Sequence, residues 1–194
     1  MIYMYKFTRN VSNQLIPSLN LLYPIGPENK MICVEIGSFE GRGSIIINDR
    51  LLCHEDSKLY CIDPFDDEYV KSNEKMSFWD SACNGQLLRF RHNTASYSKI
   101  IERRGTSDDM IKMLDEDSID FAYIDGDHSP EQVYKDAVNI FTKVKKNGII
   151  LFDDYMWEKN GIITKKGIDK FLEEYSSKYE LLLKTYQLAI RVNK

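Results

Sequence analysis

Short apolar runs alternate with stretches of helical periodicity along most of this chain. Met31 to Ile36, Leu59 to Ile62, Ile100 to Glu102, Ile119 to Ile124 and Ile149 to Phe152 read as strands. Helical spacing follows the first run from about Arg42 to Leu52, and it returns in Val133, Ala137, Ile140, Phe141 and Val144. That last helix is the best signalled. Ser129 suits the N-cap, Pro130 the first helical position, and Gln132 completes a capping box. Lys143, Lys145 and Lys146 suit its C-terminal dipole, and Asn147-Gly148 is expected to stop it. Ser107 is expected to cap a shorter helix, with Asp108 and Asp109 at its positive end. Ile168, Phe171, Leu172 and Tyr175 mark another. This βα alternation predicts a doubly wound, Rossmann-like α/β fold with a mostly parallel seven-stranded sheet.

The last two runs, Glu180 to Leu183 and Leu188 to Val192, are separated by only four residues. No right-handed crossover fits in that distance, so they are expected to form an antiparallel C-terminal hairpin. Val11, Leu15, Leu19 and Leu22 follow helical spacing interrupted by Pro17. The expected division is a helical segment over 1–29, packing across the domain or a second subunit, and a main domain over 30–194. The stretch from Pro64 to about Ala82 carries no clear periodicity and reads as a lid or a surface excursion.

Length, at 194 residues, fits one domain, and a 43% hydrophobic fraction supports a real core. The net charge of −4 gives no basic footprint for nucleic acid or an anionic membrane. Cys33, Cys53, Cys61 and Cys83 form no C-x-x-C pair and read as free thiols. MIYMYKFTRN lacks a signal peptide's apolar region, and no run is long enough to span a bilayer, so the cytosol is the expected location.

Chemistry concentrates where the strands end. The first strand leads into E-I-G-S-F-E-G-R-G-S, Glu35 to Ser44. Gly37 suits a tight turn, and Gly41 or Gly43 lets a ligand approach the following helix. Phe39 stands two residues after Gly37, so the dinucleotide fingerprint G-x-G-x-x-G fails. Asp63 ends the second strand, 26 residues after Gly37, where a carboxylate can accept both hydroxyls of a ribose; a turn aspartate before Pro64 is the plainer reading. Asp125, Asp153 and Asp154 end two strands expected to be neighbours, about 4.8 Å apart. Converging carboxylates repel, and a hard divalent cation resolves that repulsion.

These segments, with F-A-Y-I-D-G-D-H and I-L-F-D-D-Y, resemble the motifs of class I S-adenosylmethionine-dependent methyltransferases. The likeness spans Met31 to Val192. It implies that Glu35 holds the methionine amine, that Gly37 and Ser38 pass the methionine moiety, and that Asp63 takes the ribose. It places Gly105, Thr106 and Ser107 by the adenine. The acids resemble those of metal-dependent O-methyltransferases of small molecules, which implies Mg2+, Ca2+ or Mn2+ at Asp125, Asp153 and Asp154. A lysine general base of the catechol enzymes is replaced here by His128, which can act near neutral pH without a lowered pKa or can instead support Asp125 or Asp127. Tyr155 and Trp157 are candidates for the acceptor wall, or ordinary loop aromatics.

The implied activity is methyl transfer to a hydroxyl of a small molecule, a sugar or a phenol, with no nucleic-acid or membrane partner and with homo-oligomerisation open. Two alternatives stand beside it. Asp125-Gly126-Asp127 also reads as the D-x-D of a metal-dependent nucleotide-sugar glycosyltransferase. The chain could also be a non-catalytic S-adenosylmethionine-binding domain.

Overall fold

A computed structural model of the chain describes residues 4–8, 13–65 and 85–194. Nine strands are present among them: β1 (Ile32–Ile36), β2 (Lys58–Asp63), β3 (Ile100–Arg104), β4 (Ile119–Ile124), β5 (Val144–Phe152), β6 (Glu158–Lys159), β7 (Ile162–Ile163), β8 (Tyr179–Lys184) and β9 (Leu188–Val192). The helices are α1 (Leu15–Leu22), α2 (Arg42–Leu51), α3 (Gln86–Thr94), α4 (Ser107–Met110), α5 (Pro130–Lys143) and α6 (Lys165–Glu174). Seven strands form one sheet in the order β3-β2-β1-β4-β5-β9-β8. The β1–β5 pairings are parallel, and β9 runs antiparallel to both β5 and β8. This is the expected doubly wound sheet with its terminal hairpin.

Central strands are buried on both faces, as parallel sheets require. Ala122, Ile124, Ile150 and Phe152 pack with Val133, Ala137, Ile140 and Phe171 from α5 and α6. Their alternate neighbours Phe121, Tyr123, Ile149 and Leu151 pack on the other face with Leu15, Leu19, Ile47 and Phe90 from α1, α2 and α3. The amino-terminal apolar pattern thus starts its helix at Leu15, and Pro17 falls in the first turn, where no intrahelical N–H is needed.

Local structure differs from expectation in several places. Helix α5 ends at Lys143, and β5 begins at Val144 rather than Ile149. Val144 pairs with Ile119, and the four residues Lys145 to Gly148 are absorbed by a register shift between Ile119 and Phe121, with Asn147 left-handed at φ 68°. Lys145 is therefore not a helix-terminal charge; its Nζ pairs with Asp120 at 2.7 Å. Thr106, not Ser107, caps α4: its side chain accepts from the Asp109 amide. Helix α3 and the β6–β7 hairpin were not foreseen, although Asn160-Gly161 is a strong hairpin signal. Of the Pro64 to Ala82 stretch, and of Val11 and Cys83, only Pro64 and Phe65 fall within the described residues. No described helix is long and apolar enough to cross a membrane.

Candidate active site

The order of the sheet reverses between β1 and β4, and the loops leaving β1, β2, β3, β4 and β5 surround a single cleft of about 590 Å3 there. Its floor is stitched by backbone bonds that extend the ladders. Gly37 N–H donates to Ile62 O, Asp125 N–H to Ile36 O and Asp153 N–H to Ile124 O, at 2.8, 2.8 and 2.9 Å.

Gly37 holds φ +87°, and a Cβ built there would lie 2.0 Å from the Asp125 carbonyl oxygen. The glycine is demanded by the crossing β4 loop as much as by any ligand. Gly41, at φ +82°, begins α2 against Thr94 and Phe90, and Gly105 packs on Met110. Neither lines the cleft, so both act by shaping the loops that do. Glu35, Gly37, Ser38, Asp63, Thr106, Ser107, Asp125, His128, Asp153 and Asp154 all line it.

Asp63 is buried, and its two oxygens accept from the Phe39 and Phe65 amides at 2.9 and 2.6 Å. Gln86 Nε2 approaches at 3.4 Å. Burial nonetheless raises its carboxyl to about 6, against the lowering influence of those amides. Glu35, equally buried, rises to about 7 through desolvation, offset in part by the Ser44 hydroxyl that it accepts.

The far end is more crowded. Asp125, His128 and Asp154 bring one ligand atom each within 4.8 Å of one another. Asp154 reaches this position through a left-handed backbone, φ 52°. Its Oδ2 lies 2.7 Å from His128 Nε2, and its Oδ1 accepts the Tyr186 hydroxyl at 2.5 Å. Asp153 Oδ1 accepts from Gln187 Nε2 at 2.5 Å, and Asp125 Oδ2 accepts the Tyr123 hydroxyl at 3.1 Å. Burial first, then the charge of Asp153 and Asp154, drives the Asp125 carboxyl well above the usual range. Asp153 rises through burial and its neighbour Asp154. Trp157 covers His128 with ring centroids 4.6 Å apart and lines the cleft. Tyr155 does not: it is fully buried, and its hydroxyl donates to Asp169 at 2.9 Å.

Sequence reasoning missed several lining groups. Tyr186, between the hairpin strands, and Phe7, near the start of the chain, carry no local motif. Gln132 and Asp136 were legible only as a capping residue and a helical polar position. Both face the cleft from the first two turns of α5.

The family description "Methyltransferase domain" matches residues 34–155, more than half of the chain and all of the strand ends that build the cleft. The chain is a class I S-adenosylmethionine-dependent methyltransferase. Solved structures share the architecture of this methyltransferase at low identity. The O-methyltransferase NovP aligns with TM-score 0.68 and 16% identity over 93% of this chain and 80% of its own. TomG, an O-methyltransferase of Streptomyces achromogenes solved with S-adenosylmethionine, gives 0.63 and 16% over 95% and 82%. A candidate rRNA methylase of Clostridium thermocellum gives 0.65 and 12% over 96% and 100%. No curated protein matches the chain in sequence. The glycosyltransferase alternative is overturned by the family, and Asp127 has a local task instead: its Oδ1 accepts from the Ser129 amide at 2.7 Å. The reading as a non-catalytic binding domain gives way to an enzyme.

Proposed function

We propose that this methyltransferase places its methyl group on a hydroxyl oxygen of a small acceptor, a sugar or a phenol, with a divalent cation at the acidic end of the cleft. The convergence of Asp125, His128 and Asp154 within 4.8 Å carries this reading. The donor set fits Mg2+, Ca2+ or Mn2+. Carboxyls raised by desolvation and by neighbouring acids, as at Asp125 and Asp153, are the environment that a hard cation relieves. Such a cation, when bound, lowers the pKa of a coordinated hydroxyl.

S-adenosylmethionine supplies an activated methyl on a sulfonium. Toward it, Glu35, Gly37 and Ser38 face the amino-acid tail, Asp63 the ribose, and Thr106 and Ser107 the adenine, with Gly41 and Gly105 setting the loops. Acidic side chains outnumber full cations in the cleft lining nine to one, Arg42 being the exception among the described residues. That field favours a ligand carrying an ammonium and a sulfonium, and it disfavours a polyphosphate backbone. Much of the catalytic work is orientation of donor and acceptor in line.

Tyr186 and His128 together fix the Asp154 carboxylate, and Gln187 fixes Asp153. His128 has one of two tasks there. It is either a third ligand beside Asp125 and Asp154, or the acceptor of the hydroxyl proton with Asp154 orienting its ring. Trp157 and Phe7 add aromatic surface to the cleft lining.

The test is methyl transfer from labelled donor to a panel of phenols, sugars and RNA, with EDTA and with Mg2+ restored. The expected outcome is transfer to a hydroxylated small molecule, lost in EDTA and recovered with Mg2+. Transfer to RNA alone would overturn the acceptor class. Turnover indifferent to EDTA but abolished in His128→Ala would remove the cation and leave His128 as the base.

A further inference from the structure

Residues 4–8 form no helix or strand and pack into neither face of the sheet, yet buried polar side chains hold them as a strap. Asn93, fully buried on α3, accepts from the Lys6 N–H at 2.7 Å and donates to the Lys6 carbonyl at 3.3 Å. One side-chain amide thus pairs both backbone groups of Lys6, as a neighbouring strand would. Two residues on, the Thr8 N–H and hydroxyl donate to the two oxygens of Glu40 at 2.6 and 2.7 Å. Phe7 stands between these anchors, and it alone among residues 4–8 is not exposed. It lines the cleft, with its ring centre 5.8 Å from the Arg42 guanidinium carbon. What the anchors hold in place is therefore a piece of the cleft wall, not of the core.

Glu40 is 1% exposed and is the joint of three elements. Besides the Thr8 donors it accepts from Arg89 Nε of α3 at 2.5 Å, and its backbone carbonyl accepts from Asn93 Nδ2 at 2.9 Å. It sits on the turn that links β1 to α2, two residues after Ser38. Its neighbours on both sides are left-handed, Phe39 at φ 46° and Gly41 at φ 82°. That conformation is costly for a residue as large as phenylalanine, and it persists where surrounding contacts over-determine it. Two contacts do so here. The Phe39 amide donates to Asp63 Oδ2 at 2.9 Å, and the next side chain, Glu40, grips Thr8. Adjacent residues of one strained turn thus hold the acid assigned to the ribose and the strap that carries Phe7.

We infer that Glu40 is a positioning residue for the methyl donor: it ties the turn that faces the donor to the amino-terminal strap, so that donor binding and strap docking strengthen each other. Glu40 acts through the turn and through Thr8 rather than on the reacting atoms. The inference rests on the cleft being the donor site, and the experiment separates the two. Coupling of this kind is reciprocal: the factor by which the docked strap raises donor affinity is the factor by which the donor tightens the docking. A joint that served the fold alone would hold the strap equally with and without the donor.

Exchange of the Lys6 and Thr8 amide hydrogens would be followed by NMR in the full chain, with and without saturating S-adenosylhomocysteine. Affinity for the same compound would be measured by calorimetry. In the native protein the compound is expected to slow both amides at least about fivefold. Glu40→Gln keeps the shape but offers one acceptor oxygen in place of two, so either Thr8 or Arg89 meets an amide nitrogen. Its affinity for S-adenosylhomocysteine should fall at least about fivefold, and the slowing of strap exchange should shrink toward unity. Thr8→Val removes the hydroxyl donor at an exposed residue without touching the turn, and it keeps the test open should Glu40→Gln fail to fold. A smaller loss of affinity in the same direction is expected there. Strap amides that exchange equally with and without the compound in the native protein would overturn the inference. So would native affinity in either variant once its strap exchanges faster. Failure of the native protein to bind S-adenosylhomocysteine would instead overturn the placement of the donor.

Discussion

Two groups of acids line the cleft, and they are treated differently. At the donor end, Asp63 is surrounded by backbone amides: two N–H groups point at it, and the chain turns around it at Phe39 and Phe65. At the other end, Asp125, Asp153 and Asp154 meet side chains, and burial first, then neighbouring charge, raises the carboxyls of Asp125 and Asp153. A carboxylate fixed by backbone is prepared for a neutral hydroxyl donor such as a ribose. Carboxylates left in mutual repulsion await a positive charge. On the proposed reading, the difference makes the donor end a binding device and the acceptor end a reactive one.

The sharpest way to break this comparison is Asp125→Ala. If the acceptor end is reactive, turnover should fall by at least about 10²-fold, the equivalent of a few kcal/mol of lost transition-state stabilisation, while affinity for S-adenosylhomocysteine changes by a few-fold at most. Steady-state kinetics beside calorimetry checks this, and a matching fall in both would erase the distinction. Gly37→Ala strikes the point where the two ends touch, because its Cβ would meet the Asp125 carbonyl. A loss on the order of 3 kcal/mol in urea unfolding is expected, with both binding and turnover impaired.

Asp63→Ala should do the reverse of Asp125→Ala. Cofactor affinity should drop about 10- to 100-fold, the worth of hydrogen bonds to a charged group, with a smaller effect on saturated turnover. The pH dependence follows from the same residue. Asp63 in the free protein titrates at about 6, above its ordinary range. Ribose hydroxyls donate to the ionised form, so cofactor affinity should be highest above pH 6 and decline as pH falls through it. The contribution to folding has the opposite sign. A carboxyl raised by folding stabilises the free protein most at low pH, and that contribution is lost as pH rises through about 6. The thermal shift produced by S-adenosylhomocysteine should therefore be larger at pH 8 than at pH 5.5. The smallest expected effect is at Ser129, whose hydroxyl caps α5 by accepting from the Gln132 amide at 3.3 Å. Ser129→Ala should lower stability by about 1 kcal/mol with cofactor affinity retained.

The donor end was also the more legible. Strand, glycine turn and acid lie within one short stretch, so local sequence carries the arrangement from Glu35 to Asp63. The acids after β4 and β5 were found because apolar runs end on them and neighbouring parallel strands bring their tips together. What pairs with them was not readable. The contact between His128 and Asp154 depends on a left-handed turn at Asp154, and Tyr186 arrives from the antiparallel hairpin. Val144 continued the apolar period of α5, which hid the start of β5, and only the tertiary register shift resolves it. Asp136 has no local motif to mark it. Its burial arises from the β3 and β4 loops closing over α5, a property of the assembled sheet rather than of any local pattern.

The bare α-carbon of Gly37 under the Asp125 carbonyl also bears on redesign. With no space between the two loops, the backbone of the reacting acids cannot be moved to suit a new acceptor without dislodging the grip on the methyl source. Changes of acceptor are better sought at Phe7, which lines the cleft without holding any of the acids.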